Sequence, residues 1–334
     1  MDFFFLIFLT SATVILIYLL CNHSYRCESP IKRKTNGARC CRIVVMKTLK
    51  LIQLYCAVCH HYNNTIAAEV QRLSNNFCPK FTDEECITIY LFGIAEGKFV
   101  VKDVYNFIKE YYDDWFPALP SYKKFCKRIN FLAPAFQLLF CLLISENILD
   151  ENHIDHIMDS MPIIVANEQR SGSAKAAKGL CNKGFCSSKK MYFYGVKMHV
   201  LGQKQYKTLP KTCMTRIEPA SENDITVAKD LLRTVRNINI FADKIYADKD
   251  WFEELSLQNI NIFTPVKKKK GQEFLDAADA LLSSAISRAR QAIESFFNWI
   301  QEKTRIQTAS KVRSDNGLIS FIFARLAMLA FFYW

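Results

Sequence analysis

The chain has 334 residues, half of them apolar, and a formal charge of +12. That length and apolar content exclude a disordered chain and allow one large core or two modest ones. The basic balance favours an anionic partner, either nucleic acid or an anionic membrane surface, and says nothing about fold. The thirteen cysteines are odd in number and lack framework spacing, so they read as reduced thiols used as small apolar residues.

From Phe3 to Leu20 the chain carries no charge, and the segment is long enough to cross a bilayer as a helix. Only Asp2 precedes it, so the basic start of a signal peptide is missing. Arg26, Lys32, Arg33, Lys34, Arg39 and Arg42 follow, and by the positive-inside rule they would stay cytoplasmic. Two readings stand side by side. Either residues 3–20 are a membrane span with the rest facing the cytoplasm, or residues 1–45 are translated upstream DNA and Met46 opens the domain proper. Residues 1–45 are therefore set apart as a hydrophobic extension.

Residues 46–150 read as helical throughout. Thr82-Asp83-Glu84-Glu85 is a capping box before the apolar run ITIYLF. Val104, Phe107, Ile108 and Tyr111 recur at helical spacing. After the loop Trp115–Pro120, Ser121 is placed to cap a second helix, which carries Lys123, Lys124, Lys127 and Arg128 beside Tyr122, Phe125 and Ile129. Two helices around a turn, the second basic on one side, suit a helix-turn-helix reader of DNA. A bundle with a solvated basic face is the plainer alternative. Cys56-Ala57-Val58-Cys59-His60 has the spacing of a haem attachment site or half a zinc site, but no second ligand pair follows at the expected distance.

From about residue 151 the texture changes. Strands are expected around Ile157–Val165, Met191–Leu201 and Thr208–Ile217, then a helix near Asp224–Val235, a strand at Asn239–Ala242, a helix near Asp250–Gln258 and a strand at Asn261–Val266. Helix is expected from about Glu273 onward. This order is that of an α/β RNase H-like domain, a mixed sheet flanked by helices, over 151–334.

Three acids stand out. Asp159 interrupts the apolar strand IMDSMPIIV, and Asp243 ends INIFADKIY. An acid in a buried strand costs desolvation unless a cation compensates it. Glu294 lies on a helix whose Ile286, Ile293, Phe296, Phe297 and Ile300 form the buried side. Ser287, Arg290, Glu294 and Gln301 share another side, so Arg290 stands one turn from Glu294. Singly, each acid is equally an ordinary turn residue or a helical salt bridge. Together, three carboxylates from two strands and a helix suit two Mg²⁺ ions, with Mn²⁺ as the alternative. Between Ile164 and Arg216 stand eleven Lys or Arg and one acid, Glu168. They include Lys178, Lys183 and Lys197, and Lys267–Lys270 adds four more. Such residues contact backbone phosphate without reading sequence.

The words MDSMPI, AAKGLCNKGFCSSKKMYFYGVKMH, EPASENDITVAKDLL, FADKIYAD and RQAIESFFNWIQEKTRIQTASKVRS resemble the DDE transposases of bacterial insertion sequences, over about residues 46–334. The resemblance implies that Asp159, Asp243 and Glu294 bind metal and carry catalysis, and that Lys197 and His199 lie near the centre or the DNA. It implies DNA as partner, transposon-end hydrolysis followed by strand transfer, a homodimer or higher oligomer, and a cytoplasmic, nucleoid-associated location, with membrane attachment only if residues 3–20 are a span. In the family's Tyr-Arg-Glu-Lys signature, Arg290 and Glu294 are in place. Ser287 stands for the Tyr and Gln301 for the Lys. An RNase H-like nuclease that only cleaves, and an inactive DNA-binding remnant, are the competing readings.

Overall fold

A computed structural model describes residues 37–70, 79–146, 153–187, 189–268 and 270–333. The apolar segment 3–20 lies outside them. The chain divides into two units, Met1–Leu49 and Lys50–Trp334, and the second carries the sheet and the buried core.

Its helical part comprises α1 (Gly37–His61, which enters it from the first unit), α2 (Asp83–Ala95), α3 (Val101–Tyr111), α4 (Tyr122–Phe131) and α5 (Ala133–Glu146). The capping box is present as expected. The Glu85 N–H donates to Thr82 Oγ1 at 3.2 Å and the Thr82 N–H donates to Glu85 Oε2 at 2.7 Å, which satisfies two donors that a helix start otherwise leaves open. Ser121 precedes α4, but its side chain makes no capping bond. Cys56 and Cys59 lie within α1, and no group of three His, Cys, Asp or Glu able to hold a metal occurs among the described residues.

The sheet comes next in the chain: β1 (Asp155–Ala166), β2 (Asn182–Cys186), β3 (Met191–Gln203), β4 (Lys211–Pro219), α6 (Asp224–Leu232), β5 (Ile238–Phe241), α7 (Lys249–Ser256), β6 (Ile260–Phe263), α8 (Ala277–Thr304) and α9 (Asp315–Tyr333). β1 pairs antiparallel with β3 and parallel with β5, and β5 pairs parallel with β6. β2 and β4 pair with successive stretches of β3, Met191–Gly195 and Val196–Gln203. Four strands thus precede the first helix where the sequence points to three. β2 is short and carries Lys183 and Gly184 among its five residues, so it shows no alternation to read.

Alternation along β1 separates two layers. Ile157, Met161, Ile163 and Val165 enter the main core with Ile293, Phe296 and Ile300 of α8 and with residues of α2, α5 and α9. Met158 packs on the other face with Leu231 of α6 and Trp251 of α7. The main core joins the helical segment and the sheet. α9 is apolar enough to cross a membrane, yet 61% of its apolar stretch is buried inside the protein. Its Arg325 is 1% exposed. The guanidinium donates to the carbonyls of Thr304 (3.0 Å), Phe321 (2.9 Å) and Phe99 (2.7 Å). A buried cation is tolerable only with such partners.

Candidate active site: two aspartates and an arginine

β5 stops opposite Ile157, where the last β1–β5 pair is Ile157 with Phe241. Further along, the same edge of β1 is used again: the Ile164 N–H donates to the Gln307 carbonyl at 2.9 Å, and the Ala309 N–H donates to the Ile164 carbonyl at 2.9 Å. Between these points the edge of β1 is open among the described residues. The parity of the strand shows why nothing needs to cover it. Ile154 and Ile164 turn their backbone groups to this side, so Ser160 and Pro162 do too; the Ser160 N–H donates to Asp159 Oδ1, and proline has no N–H to leave unpaired.

The acids gather at this gap. Asp159 points from β1 towards α8, and Asp243 stands two residues beyond the end of β5. Arg290 of α8 reaches both: its Nη2 donates to Asp159 Oδ2 at 3.0 Å, and its Nη1 donates to Asp243 Oδ1 at 3.5 Å. The two acids are 84 residues apart in sequence. Local bonds fix each carboxylate. Asp159 Oδ1 accepts from the Ser160 N–H at 2.8 Å, and Asp243 Oδ1 accepts from the Lys244 N–H at 2.7 Å. Burial pushes the Asp159 carboxyl up to about 6, against the lowering pull of Arg290 and of the Ser160 N–H. Desolvation of this carboxylate thus outweighs the opposite charge of Arg290 beside it.

The donor set fits a hard divalent cation. Carboxylate oxygens are the donors that Mg²⁺ commonly takes from a protein. The convergence of three acids expected from the sequence is met by two. Glu294 is exposed on α8, one turn beyond Arg290, and among the described residues no three such groups come together. The arginine, read from sequence as a neighbour of Glu294, is the residue that faces the aspartates.

A second polar cluster lies behind the first, on the opposite face of β1. Asp224, the first residue of α6, accepts from Lys197 Nζ at 2.7 Å and from Ser160 Oγ at 3.4 Å. His199 Nε2 lies 4.0 Å from Asp224 Oδ1. His199 is 2% exposed, and burial lowers its pKa to about 4, so the ring is neutral at pH 7. His199 therefore faces Asp224 from inside the domain, while Lys197 is partly exposed and also donates to the Glu222 carbonyl at 3.0 Å. Tyr246 is an electrostatic neighbour of both clusters, and its buried hydroxyl has no hydrogen-bond partner among the described residues. Burial, then Asp224, Asp159 and Asp243, raise its pKa well above the usual phenol range. Asp224 and Tyr246 do not stand out in the sequence; the word SENDI, an Asx cap at a helix start, is the available signal for the first.

Of the other basic residues, Lys178 and Lys183 are exposed, with Lys183 Nζ 4.7 Å from the Tyr192 ring centre. Lys123, Lys124 and Lys127 are exposed on α4. Arg128 differs from the expectation: it turns inward and forms a two-point ion pair with Asp83, which is 5% exposed. The Tyr62 hydroxyl donates to the same carboxylate at 2.8 Å. A buried Asp at the start of α2 requires a cation, and Arg128 supplies it.

Fold and site together define a mixed α/β domain with a paired-aspartate centre at an open strand edge. Residues 150–314 match the family model described as Transposase DDE domain. This stretch, just under half of the chain, is similar to that family and carries Asp159, Asp243 and Glu294. No curated protein and no solved structure matches the chain significantly.

Proposed function

We propose that the chain is an insertion-sequence transposase with an RNase H-like catalytic domain, which hydrolyses the phosphodiester at transposon ends and joins the freed 3′-hydroxyl to target DNA. The meeting of Asp159 and Asp243 at the open edge of β1, inside the segment matched by the family, carries this reading. Asp159, Asp243 and Glu294 are the residues to hold Mg²⁺ or Mn²⁺. Held there, the ions would supply Lewis acidity to water, a 3′-hydroxyl and the leaving oxygen. Arg290 keeps the two aspartates close despite their like charge and offers a planar fork to a phosphate. Lys197 and His199 brace Asp224 behind the strand. Lys123, Lys124, Lys127, Lys178 and Lys183 contact the DNA backbone.

Two DNA ends are handled together, so the working form is a dimer or larger assembly on DNA. It acts at the nucleoid, in the cytoplasm, tethered to the membrane if residues 3–20 are a span. The exposed position of Glu294 favours a second reading, a remnant that binds DNA without cutting it. One assay separates them: Mg²⁺-dependent cleavage of candidate element ends by the wild type and by Asp243→Ala. Loss of about 10²-fold or more in the variant is expected. Equal rates would remove the paired aspartates from the mechanism, and no cleavage by either protein favours the remnant. Cleavage without strand-transfer product leaves a nuclease.

A further inference from the structure

Lys189 lies outside the aspartate site, held where Gln307 closes the edge of β1. Its Nζ donates to Gln307 Oε1 at 2.9 Å. Gln307 is itself fixed: its N–H donates to Gln301 Oε1 at 2.8 Å and its carbonyl accepts from the Ile164 N–H at 2.9 Å. Beside it opens a cavity of about 630 Å³, walled by the C-terminal end of β1, the loop after it and the segment before α9. Exposed Arg170, Lys175 and Arg313 line it, with Asn167 and Ser173 as neutral donors, and neither Asp nor Glu does.

We propose that this basic cavity seats backbone phosphates of the same DNA strand whose scissile bond lies at Asp159, an inference that rests on the transposase reading above. Three features select phosphate backbone. The two guanidinium forks match phosphate oxygens. Lys189, anchored on Gln307, which lines the cavity, adds positive charge beside it. The distance also suits a strand. Ile164 is five residues beyond Asp159, roughly 16 Å along a strand, which matches about five nucleotides of duplex rise at roughly 3.4 Å each. The cavity contacts carry no base-reading geometry, so they set register and not sequence preference.

The test is binding of a fluorescein-labelled DNA duplex of random sequence to the full chain, with log K followed against log[KCl]. Each lost phosphate contact flattens the slope by about 0.9. The triple change Arg170→Gln, Lys175→Gln, Arg313→Gln is expected to flatten it by about 2.7. Arg313 also donates to the carbonyls of Ser310 and Val312. The double change Arg170→Gln, Lys175→Gln leaves those bonds in place and should flatten the slope by about 1.8. An equal loss of charge on α6 and just after it (Lys229→Gln, Arg233→Gln, Arg236→Gln) should leave the slope unchanged. Unaltered slopes in the first two variants, or equal flattening in the α6 control, overturn the inference while a cleaving wild type keeps its assignment. A wild type that binds no duplex overturns both.

Discussion

Arg290 Nη2 donates to Asp159 at 3.0 Å while its Nη1 lies 3.5 Å from Asp243, so one guanidinium bridges a carboxylate of β1 and one just past β5 and offsets part of their charge. Arg290→Ala leaves both acids facing each other. A loss of about 1–3 kcal/mol in unfolding free energy is expected, as for other partly buried groups deprived of a partner. Millimolar Mg²⁺ should then raise the urea midpoint of the variant more than that of the wild type, because a ligand that binds only the native state stabilises it. An unchanged midpoint in metal-free buffer would show that the bridge does not hold the site together.

Burial raises the Asp159 carboxyl to about 6, above its unfolded value of about 3.9. Between these pH values the folded chain keeps a proton that the unfolded chain has released. Stability therefore falls as pH rises through this window, by about 3 kcal/mol when complete. Asp159→Asn has no such proton to lose and should gain on the wild type from pH about 4 to about 6 in metal-free buffer. His199 acts in the opposite sense: its pKa is lowered to about 4, so stability rises with pH up to about 6.5. Both proteins share that contribution, and the difference in their urea midpoints isolates Asp159. A pH-independent difference would contradict the burial of this carboxylate.

The basic helix α4 divides into two roles. Arg128→Ala strands the buried Asp83 and should cost about 3–5 kcal/mol in thermal or chemical unfolding. Lys123→Ala, Lys124→Ala and Lys127→Ala should each leave stability within about 0.5 kcal/mol. Each should flatten the salt dependence of DNA binding by about 0.9. A stable Arg128→Ala protein would return that residue to the DNA-contacting surface.

Asp224 is the partner of Lys197, Ser160 and, more distantly, His199. Asp224→Ala is expected to lower stability by about 1–3 kcal/mol, with Asp224→Asn milder, since an amide oxygen still accepts from Lys197. Differential scanning calorimetry of the two variants checks the order.

Much of this is legible in the sequence. β1, β3, β5 and β6 announce themselves as apolar runs bounded by turn residues, and the box at Thr82 fixes the start of α2. Asp159 and Asp243 stand out because they break apolar strands. Pairing at a distance is what local sequence does not carry. Gln307 completes the edge of β1 from 143 residues away, and nothing in its local composition marks a bridge. Arg128 looks like its neighbouring lysines because exposure, not residue type, separates them. β4 runs Lys211–Pro219 rather than Thr208–Ile217, a boundary set by its register on β3. Arg290 is visible along its helix, where Glu294 is one turn away; only the fold turns it to the opposite partners.

Arg325 gathers carbonyls from Phe99, Thr304 and Phe321, so the final helix closes a core begun more than two hundred residues earlier. During synthesis the acids emerge from the ribosome before the helix that completes their support. A gene copy with a stop codon just past position 314 would still encode every acidic residue of the centre, yet its product would expose the apolar faces that α9 covers and fall to proteolysis. Integrity of the codons for α9 would then decide whether such a product survives.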